Sequence, residues 1–345
     1  MNNTKNLPTF NHYYYSSMEK KRVWLIFWWP SNEHDVSLLS AKNVEKYIDK
    51  DKYTLVCIYR NKQGEFLIAN SISEHLHGKK ILIEEIKNHI DTALLMTHGK
   101  YGEDGKLQSL LELFHISYCW CRVLSSALCM DKWLFKTFLQ GHNISQTPFE
   151  ILDIQLDSPK NIEQKKEKIL REIQFPLYVK PANSWSSVGI TKVDNAKQLN
   201  DAINIASLHD SKIIIEQWLI TPKEIEVAVL WNSEPLISEP GELILAKDFY
   251  DYDDKYIHNQ SSMQIPANIT ESQKQEIQKL AKKVYKLCDC SGFARIDFFL
   301  SEGKIYLNEI NTLPGFTDIS MFPMLMKHMW LSYSELIDRI IALAY

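Results

Sequence analysis

No stretch of this chain is apolar for long enough to cross a membrane as a helix, which excludes a helical membrane protein. The N-terminus is polar and Tyr-rich and lacks the apolar centre of a signal peptide. The formal net charge is only −4, so there is no basic footprint for a polyanion, which speaks against nucleic acid as a partner. Six cysteines stand at 57, 119, 121, 129, 288 and 290, and none belongs to a C-x-x-C pair. That argues against zinc and for reduced structural thiols in a cytoplasmic protein. There is no internal repeat and no low-complexity run. Glycine is scarce as well, at 11 residues, while tryptophan is abundant at 9. What remains is an ordinary globular composition, 45% hydrophobic and 24% charged, in 345 residues that can support two or three domains.

The most informative stretch is Ala294–Leu300 followed by Tyr306–Gly315. It predicts two strands joined by the turn Ser301-Glu302-Gly303, with Gly where a hairpin loop needs a left-handed residue. A three-residue loop sets residue 300 opposite 304, and so 297 opposite 307. Side chains alternate with period two, so Glu309 and Asn311 share a face with Asp297, and Arg295 joins them. Two carboxylates and an amide oxygen form an oxygen-only ligand set suited to Mg²⁺ or Mn²⁺, with phosphate completing the shell. An isolated pattern of this kind is more often a solvated hairpin. Here the neighbours are strongly apolar, and a metal would remove the cost of burying the carboxylates.

Strand and helix patterns alternate along the first third of the chain. Strands are expected over Val23–Phe27, Tyr53–Tyr59 and Leu94–Thr97, and a helix over Val36–Asp49. This predicts an α/β layer on a parallel sheet. Helices are expected over Asp131–Gly141, Asn161–Ile173, Ala196–Ser207, Thr270–Cys288 and Tyr333–Ala344. Further strands are expected over Phe175–Lys180, Lys212–Trp218 and Glu224–Trp231. Ala246–Gln264 is long, polar and patternless, as an active-site lid or an insert would be. Residues 1–20 have the composition of an appendage, and Met18 is a candidate start alongside Met1.

R-I-D-F at 295–298 and N-E-I-N-T-L-P-G-F-T at 308–317, running on to Ser320-Met321-Phe322-Pro323, resemble the C-terminal motif of D-alanine–D-alanine ligases. The resemblance extends from about Met18 to the end. It includes Ser31–Ser37, His98–Gly105, Ser126–Lys132, Val179-Lys180-Pro181, Ser186–Gly189, Pro240-Gly241-Glu242 and Phe249–Tyr256, in the family's order. It implies an α/β (α+β) ATP-grasp fold of three domains, the first built on a parallel sheet. The divisions would be an appendage at 1–20, a substrate-binding domain at 21–127, a central subdomain at 128–216, and a C-terminal subdomain at 217–345. It implies ATP and two Mg²⁺ or Mn²⁺ as cofactors, D-alanine as substrate, and a homodimer as the assembly common in the family.

The resemblance also implies roles. Lys132, Lys180 and Lys255 would contact ATP phosphates, and Ser186 with Ser187 would belong to the loop covering them. The hinge Glu216, Gln217 and Leu219 would hold adenine, Glu224 the ribose, and Phe249 and Asn308 would complete the nucleotide site. Asp297, Glu309 and Asn311 would hold the metal ions. Glu33 would sit near the first D-alanine's ammonium, and Arg295 with the Gly315 amide would face the oxyanion of the tetrahedral intermediate. Ser320 would meet the second substrate's carboxylate. Glu33, Ser186 and Tyr256 would form a triad tying the lid to the site, and Tyr256 favours a D-amino acid over D-lactate as second substrate. D-Serine stays open. His98 is either a site residue or a cap of its glycine-rich turn.

One departure from the family is systematic. Trp28, Trp29, Trp120, Trp133, Trp185, Trp231 and Trp330 stand where the family commonly has Gly. Drift would scatter such changes among several residue types. Some bacterial lineages read UGA as glycine and others as tryptophan, and translation by the wrong rule would leave this pattern. The competing readings are a homologue that kept the fold and lost turnover, and genuine tryptophans absorbed by repacking. Every catalytic polar residue is retained, which favours the decoding reading. On that reading the chain as written binds ATP poorly, because indoles replace glycines that give backbone access to ligands.

Overall fold

The computed structural model describes residues 20–28, 33–87, 90–183, 188–231, 234–244 and 262–344. Ser186, Ser187, Phe249, Lys255, Tyr256, Trp29 and Trp185 lie outside the described residues, as does most of the polar 246–264 segment.

The first sheet takes β1 (Lys21–Trp28), β2 (Tyr53–Arg60), β3 (Phe66–Ala69), β4 (Lys79–Ile81) and β5 (Thr92–Met96). Its order is β4-β3-β2-β1-β5. β1 runs parallel to β2 and β5, as the alternating pattern predicts. β3 and β4 are antiparallel, so the sheet is mixed rather than parallel throughout. The physical reason is the short connection between Arg60 and Phe66, too brief for the crossover that a parallel neighbour requires. Val23–Trp28 is buried at every position because helices cover both sheet faces. Among these helices are α1 (His34–Tyr47), the short α2 (Ile83–Ile86) and α3 (Lys106–Leu113), whereas α4 (Val123–Met130) follows them and puts Cys129 into a separate hydrophobic cluster.

The second sheet is antiparallel, in the order β6-β9-β7-β8. Its strands are β6 (Phe149–Asp153), β7 (Leu177–Pro181), β8 (Thr191–Val193) and β9 (Lys212–Gln217). Helices α5 (Lys132–Gly141), α6 (Pro159–Glu172) and α7 (Leu199–Ser207) accompany it. Asp131 caps α5 by accepting from Leu134 N at 3.0 Å, and its other oxygen pairs with Lys212 at 3.1 Å. That double engagement fixes where Lys132 begins the helix.

The third sheet contains β10 (Lys223–Leu230), β11 (Leu236–Ile237), β12 (Gly241–Ile244), β13 (Ser262–Gln264), β14 (Phe293–Ser301) and β15 (Lys304–Asn311). Its main path is β13-β12-β10-β14-β15, with β11 on β10. Helix α8 (Glu271–Leu287) starts with a reciprocal cap between Thr270 and Gln273 and buries Ile277, Ala281, Val284 and Tyr285, one face at helical spacing. Helices α9 (Met321–His328) and α10 (Tyr333–Ala342) close the chain. Pro323 is tolerated in α9 because it lies in the first turn, where its missing N–H has no intrahelical partner to lose. The hydrophobic cluster of the first sheet also contains Phe316, Phe322, Leu336, Ile337 and Ile340, so the end of the chain packs against its beginning.

The β14–β15 hairpin differs from expectation in a useful way. Ser301 pairs with Lys304, leaving a two-residue turn with Glu302 at φ 49° and Gly303 at φ 77°. Two positive φ angles match the sense of strand twist, which a three-residue loop is not needed to supply. Leu300 therefore faces Ile305, and a bulge at Asn308 then puts Asp297 opposite Glu309 rather than Leu307. The bulge adds one residue to β15 and returns Glu309 and Asn311 to the face of Asp297 and Arg295.

The tryptophans at family glycine positions fare differently. Trp28 and Trp120 are buried in the first core at 2% and 1% exposure. Arg60 lies 5.8 Å from the Trp28 ring, and Trp120 packs on Phe293 at 4.4 Å between ring centroids. The Trp133 ring has the Lys212 ammonium 4.9 Å from its centroid. Trp231 and Trp330 instead sit at φ 118° and 67°, where side chains are strained and glycine is favoured. Trp330 follows α9 in a Schellman turn, with its N–H donating to Lys327 O and Leu331 N–H to Met326 O. Its indole is 92% exposed and packs almost nothing. Trp330→Gly is therefore expected to raise stability by about 1 kcal/mol, read by chemical denaturation. A loss of stability would show that the indole contributes something that this exposure does not reveal.

Candidate active site

The three sheets and their loops enclose a cavity of about 350 Å³. Its floor comes from the third sheet. Glu226 of β10 lies opposite Asp297 of β14, which lies opposite Glu309 of β15. The next row holds Ala228, Arg295 and Asn311. The alternate positions Ile225, Val227 and Ile296 face the hydrophobic core behind the sheet. Period two thus separates a charged face from an apolar one on the same strands.

A row of buried carboxylates is costly unless it is compensated. Arg295 compensates it: Nε and Nη2 donate to the two oxygens of Asp297 at 2.8 and 2.7 Å, and Nε lies 2.9 Å from Glu226. Burial works against the guanidinium's charge, yet Asp297 and Glu226 hold its pKa well above the usual value. Asn311 Oδ1 accepts from Leu313 N at 3.1 Å, which turns the chain out of β15 into the 312–320 loop. Gly315 lies in that loop beside Ser320. A Cβ at 315 would meet Ser320 Oγ at 2.9 Å, so glycine is needed there for close approach. Ser320 Oγ also accepts from Thr317 N at 3.0 Å.

The opposite wall carries lysines. Lys132 comes from α5 and Lys180 from β7, while Lys136, one turn after Lys132, does not line the cavity but reaches Glu216. Glu216 of β9 pairs with Lys180 and, at 3.0 Å, with Lys136. Burial alone would raise the Glu216 carboxyl, but the two ammonium groups outweigh it and hold it at about 2. Burial lowers the pKa of both Lys132 and Lys136. This clustered positive charge on a buried wall suits a polyphosphate.

Thirteen of the residues singled out from sequence line this one cavity. From the first sheet's loops and α1 come Glu33 and His98; from the second layer Lys132, Lys180 and Glu216; from the third sheet Glu224, Arg295, Asp297, Asn308, Glu309 and Asn311; and from the following loop Gly315 and Ser320. Gln217 and Leu219 do not line it. Of the described tryptophans, Trp218 does, while Trp28, Trp120, Trp133, Trp231 and Trp330 do not. Glu103, Glu226 and Lys136 were not singled out. Glu226 carried a signal, since it stands two residues after Glu224 on one strand face. Lys136 carried one too, four residues after Lys132 on a helix.

Among the described residues no three His, Cys, Asp or Glu side chains converge on a single metal point. The donor set is instead two carboxylates on directly paired strands plus an amide oxygen two residues on, all opening on the cavity. Hard oxygen donors in that number fit Mg²⁺ or Mn²⁺ whose remaining positions are filled by phosphate and water.

Glu103 is largely buried at the cavity edge, 3.8 Å from His98 Nδ1. Burial raises its carboxyl to about 8 from the ordinary 4.5. Below pH 4.5 the group is protonated whether the chain is folded or not. Between 4.5 and about 8 only the unfolded chain gives up the proton, so this group makes stability fall as pH rises. Glu103→Gln should remove that decline. Its melting temperature should exceed the parent's by a margin that grows from about pH 5 to about pH 8. A margin constant with pH would contradict this environment for Glu103.

Comparison with known proteins agrees with this geometry. Sequence models for the "D-ala D-ala ligase N-terminus" and "D-ala D-ala ligase C-terminus" match residues 22–121 and 138–342. A D-alanine--D-alanine ligase of Caldicellulosiruptor bescii is 41% identical over 95% of this chain and 96% of its own length. D-alanine--D-alanine ligase B of Clostridium tetani is 40% identical over 95% of this chain and 94% of its own. Among solved structures, the VanG D-Ala:D-Ser ligase from Enterococcus faecalis aligns with a TM-score of 0.84 and 32% identity, covering 94% of this chain and 99% of that one. The D-alanine-D-alanine ligase from Coxiella burnetii aligns with a TM-score of 0.81 and 30% identity, covering 94% and 95%. With matching sequence across nearly its whole length, an ATP-grasp architecture and a cavity built from the expected residues, the chain belongs to the D-alanine–D-alanine ligase family.

Proposed function

We propose that this chain joins two D-alanines to D-alanyl-D-alanine for peptidoglycan precursor synthesis. The carboxylate of the first D-alanine attacks the γ-phosphorus of ATP and ADP leaves. The amine of the second then attacks the acyl carbon of the D-alanyl phosphate and phosphate leaves. The observation that carries this reading is the pairing of Asp297 with Glu309 across a cavity from Lys132 and Lys180.

Each wall has its task in this proposal. Lys132 and Lys180 orient the phosphates, with Ser187 and Lys255 assigned to the same work by family resemblance alone. Glu216, Gln217 and Leu219 form the adenine hinge, Glu224 takes the ribose, and Phe249 and Asn308 complete the site. Asp297, Glu309 and Asn311 would hold two Mg²⁺ or Mn²⁺, which neutralise phosphate charge when bound. Glu33 holds the first substrate's ammonium and Ser320 the second's carboxylate. Arg295 and the Gly315 amide face the developing oxyanion, where each fixed donor is worth roughly 10²–10³ in rate. By family resemblance alone, Ser186 and Tyr256 would join Glu33 in the triad that excludes water. The same reading divides the chain near 128 and 217 and places a homodimer in the cytoplasm. A single peak at twice the chain mass in light scattering is the expected assembly.

The Enterococcus D-Ala:D-Ser likeness makes D-serine the one rival second substrate worth direct competition. Equal mixtures of D-alanine and D-serine, with products resolved by mass, should give mainly the dialanine. Asp297→Asn and Glu309→Gln are each expected to abolish ATP-dependent dipeptide formation while circular dichroism stays unchanged, since only charge is removed. Near-normal turnover in either variant would overturn the metal assignment. The decoding reading of the tryptophans belongs here too, supported by the positive φ of Trp231 and Trp330. On that reading, protein from its native source carries glycine at these positions by mass spectrometry, and turns over faster than the chain as written.

A further inference from the structure

Ser40 of α1 is fully buried and was not among the residues that sequence patterns single out. Two hydrogen bonds define it. Phe316 N donates to Ser40 Oγ at 3.2 Å, and Ser40 Oγ lies 3.0 Å from His98 Nε2. His98 Nδ1 lies 3.1 Å from the Leu313 carbonyl oxygen. The chemistry of the ends fixes every proton between them. A backbone N–H only donates, so Ser40 Oγ accepts from Phe316. A carbonyl only accepts, so His98 carries its hydrogen on Nδ1 and donates it to Leu313. Nε2 is then an acceptor, and it takes the Ser40 hydroxyl hydrogen. The chain runs Phe316 N–H to Ser40, Ser40 O–H to His98, and His98 N–H to Leu313, and only neutral His98 completes it.

Both ends of this chain lie on the loop that flanks Gly315. One end holds Leu313, the other Phe316. The Tyr333 hydroxyl donates to the Phe316 carbonyl oxygen from the far side. Phe316, the residue beside Gly315, is thus gripped from α1 at its N–H and from α10 at its carbonyl. We propose that Ser40 is a positioning residue for the ligation step, which sets the aim of the Gly315 amide by bonding its neighbour and by locking the His98 ring that bonds Leu313. This rests on the proposed oxyanion role of the Gly315 amide. It also gives the helix at the start of the chain a direct grip on a loop 276 residues away in sequence.

The test compares Ser40→Ala, Ser40→Cys and Ser40→Thr with the parent. In Ser40→Ala, kcat for dipeptide formation is expected to fall roughly 10- to 100-fold, with KM for ATP within about twofold. Ser40→Thr keeps the hydroxyl and should recover most of the loss. If the alanine variant does not fold, Ser40→Cys carries the test, because a thiol is a far weaker donor and acceptor of nearly the same size. It should lose at least about fivefold in kcat. A folded Ser40→Ala or Ser40→Cys with parental kcat overturns the proposal. So does a loss that raises KM for ATP equally and is not recovered by threonine, since that pattern belongs to general loosening. Arg295→Met, measured alongside, isolates the premise: full activity there would remove the oxyanion reading itself, whatever Ser40 does.

Discussion

The site depends on keeping a large set of buried charges in balance. Glu226, Asp297 and Glu309 stand in one row across three strands, and Glu216 lies close by. In a low-dielectric interior such a set would repel itself and resist burial. Arg295 on the carboxylate row and Lys136 with Lys180 on Glu216 restore the balance. These pairings are not sources of great stability, because desolvation offsets most of their attraction. What they secure is position. Removing one partner leaves an uncompensated charge, so each group is held where its neighbours need it.

The same balance prepares the cavity for its ligands. On the proposed function, a nucleoside triphosphate and divalent cations would bring negative and positive charge in near-equal measure, and the cavity walls carry groups of both complementary signs. The lysines lie on the second layer and the carboxylates on the third sheet. Binding can therefore exchange protein partners for ligand partners without bringing bare charge into the interior.

Backbone geometry supplies the second constraint. The bulge at Asn308 is a one-residue irregularity, yet without it Glu309 and Asn311 would turn away from Asp297. Gly315 must lack a side chain because Ser320 lies against it. Against these well-fitted positions, the tryptophans at 231 and 330 stand out, for they occupy backbone conformations that suit glycine. The buried Trp28 and Trp120 show the opposite behaviour and add apolar mass to the first core. The cavity itself is not filled by any of them.

Much of this was legible before any coordinates. The apolar run of β1, the helical periodicity of α8 and the alternation in β14 and β15 follow from local pattern, because a strand or helix must put its apolar positions on one side. The clustering of Asp297, Glu309 and Asn311 on one face was legible for the same reason. The exact pairing was not, because a turn of two residues and a bulge of one leave the face unchanged and move the register. Short strands such as β3, β4 and β6, and the proline-bearing α9, carry too little periodicity to be seen locally. Glu103 and Ser40 could not be weighed from sequence at all. Their roles come from what lies around them, Glu103 from its burial and Ser40 from a loop 276 residues away. Sequence determines which faces are apolar and which side chains can do chemistry. Tertiary structure alone decides which distant groups meet, because burial and hydrogen-bond direction are properties of the assembled neighbourhood and not of the chain.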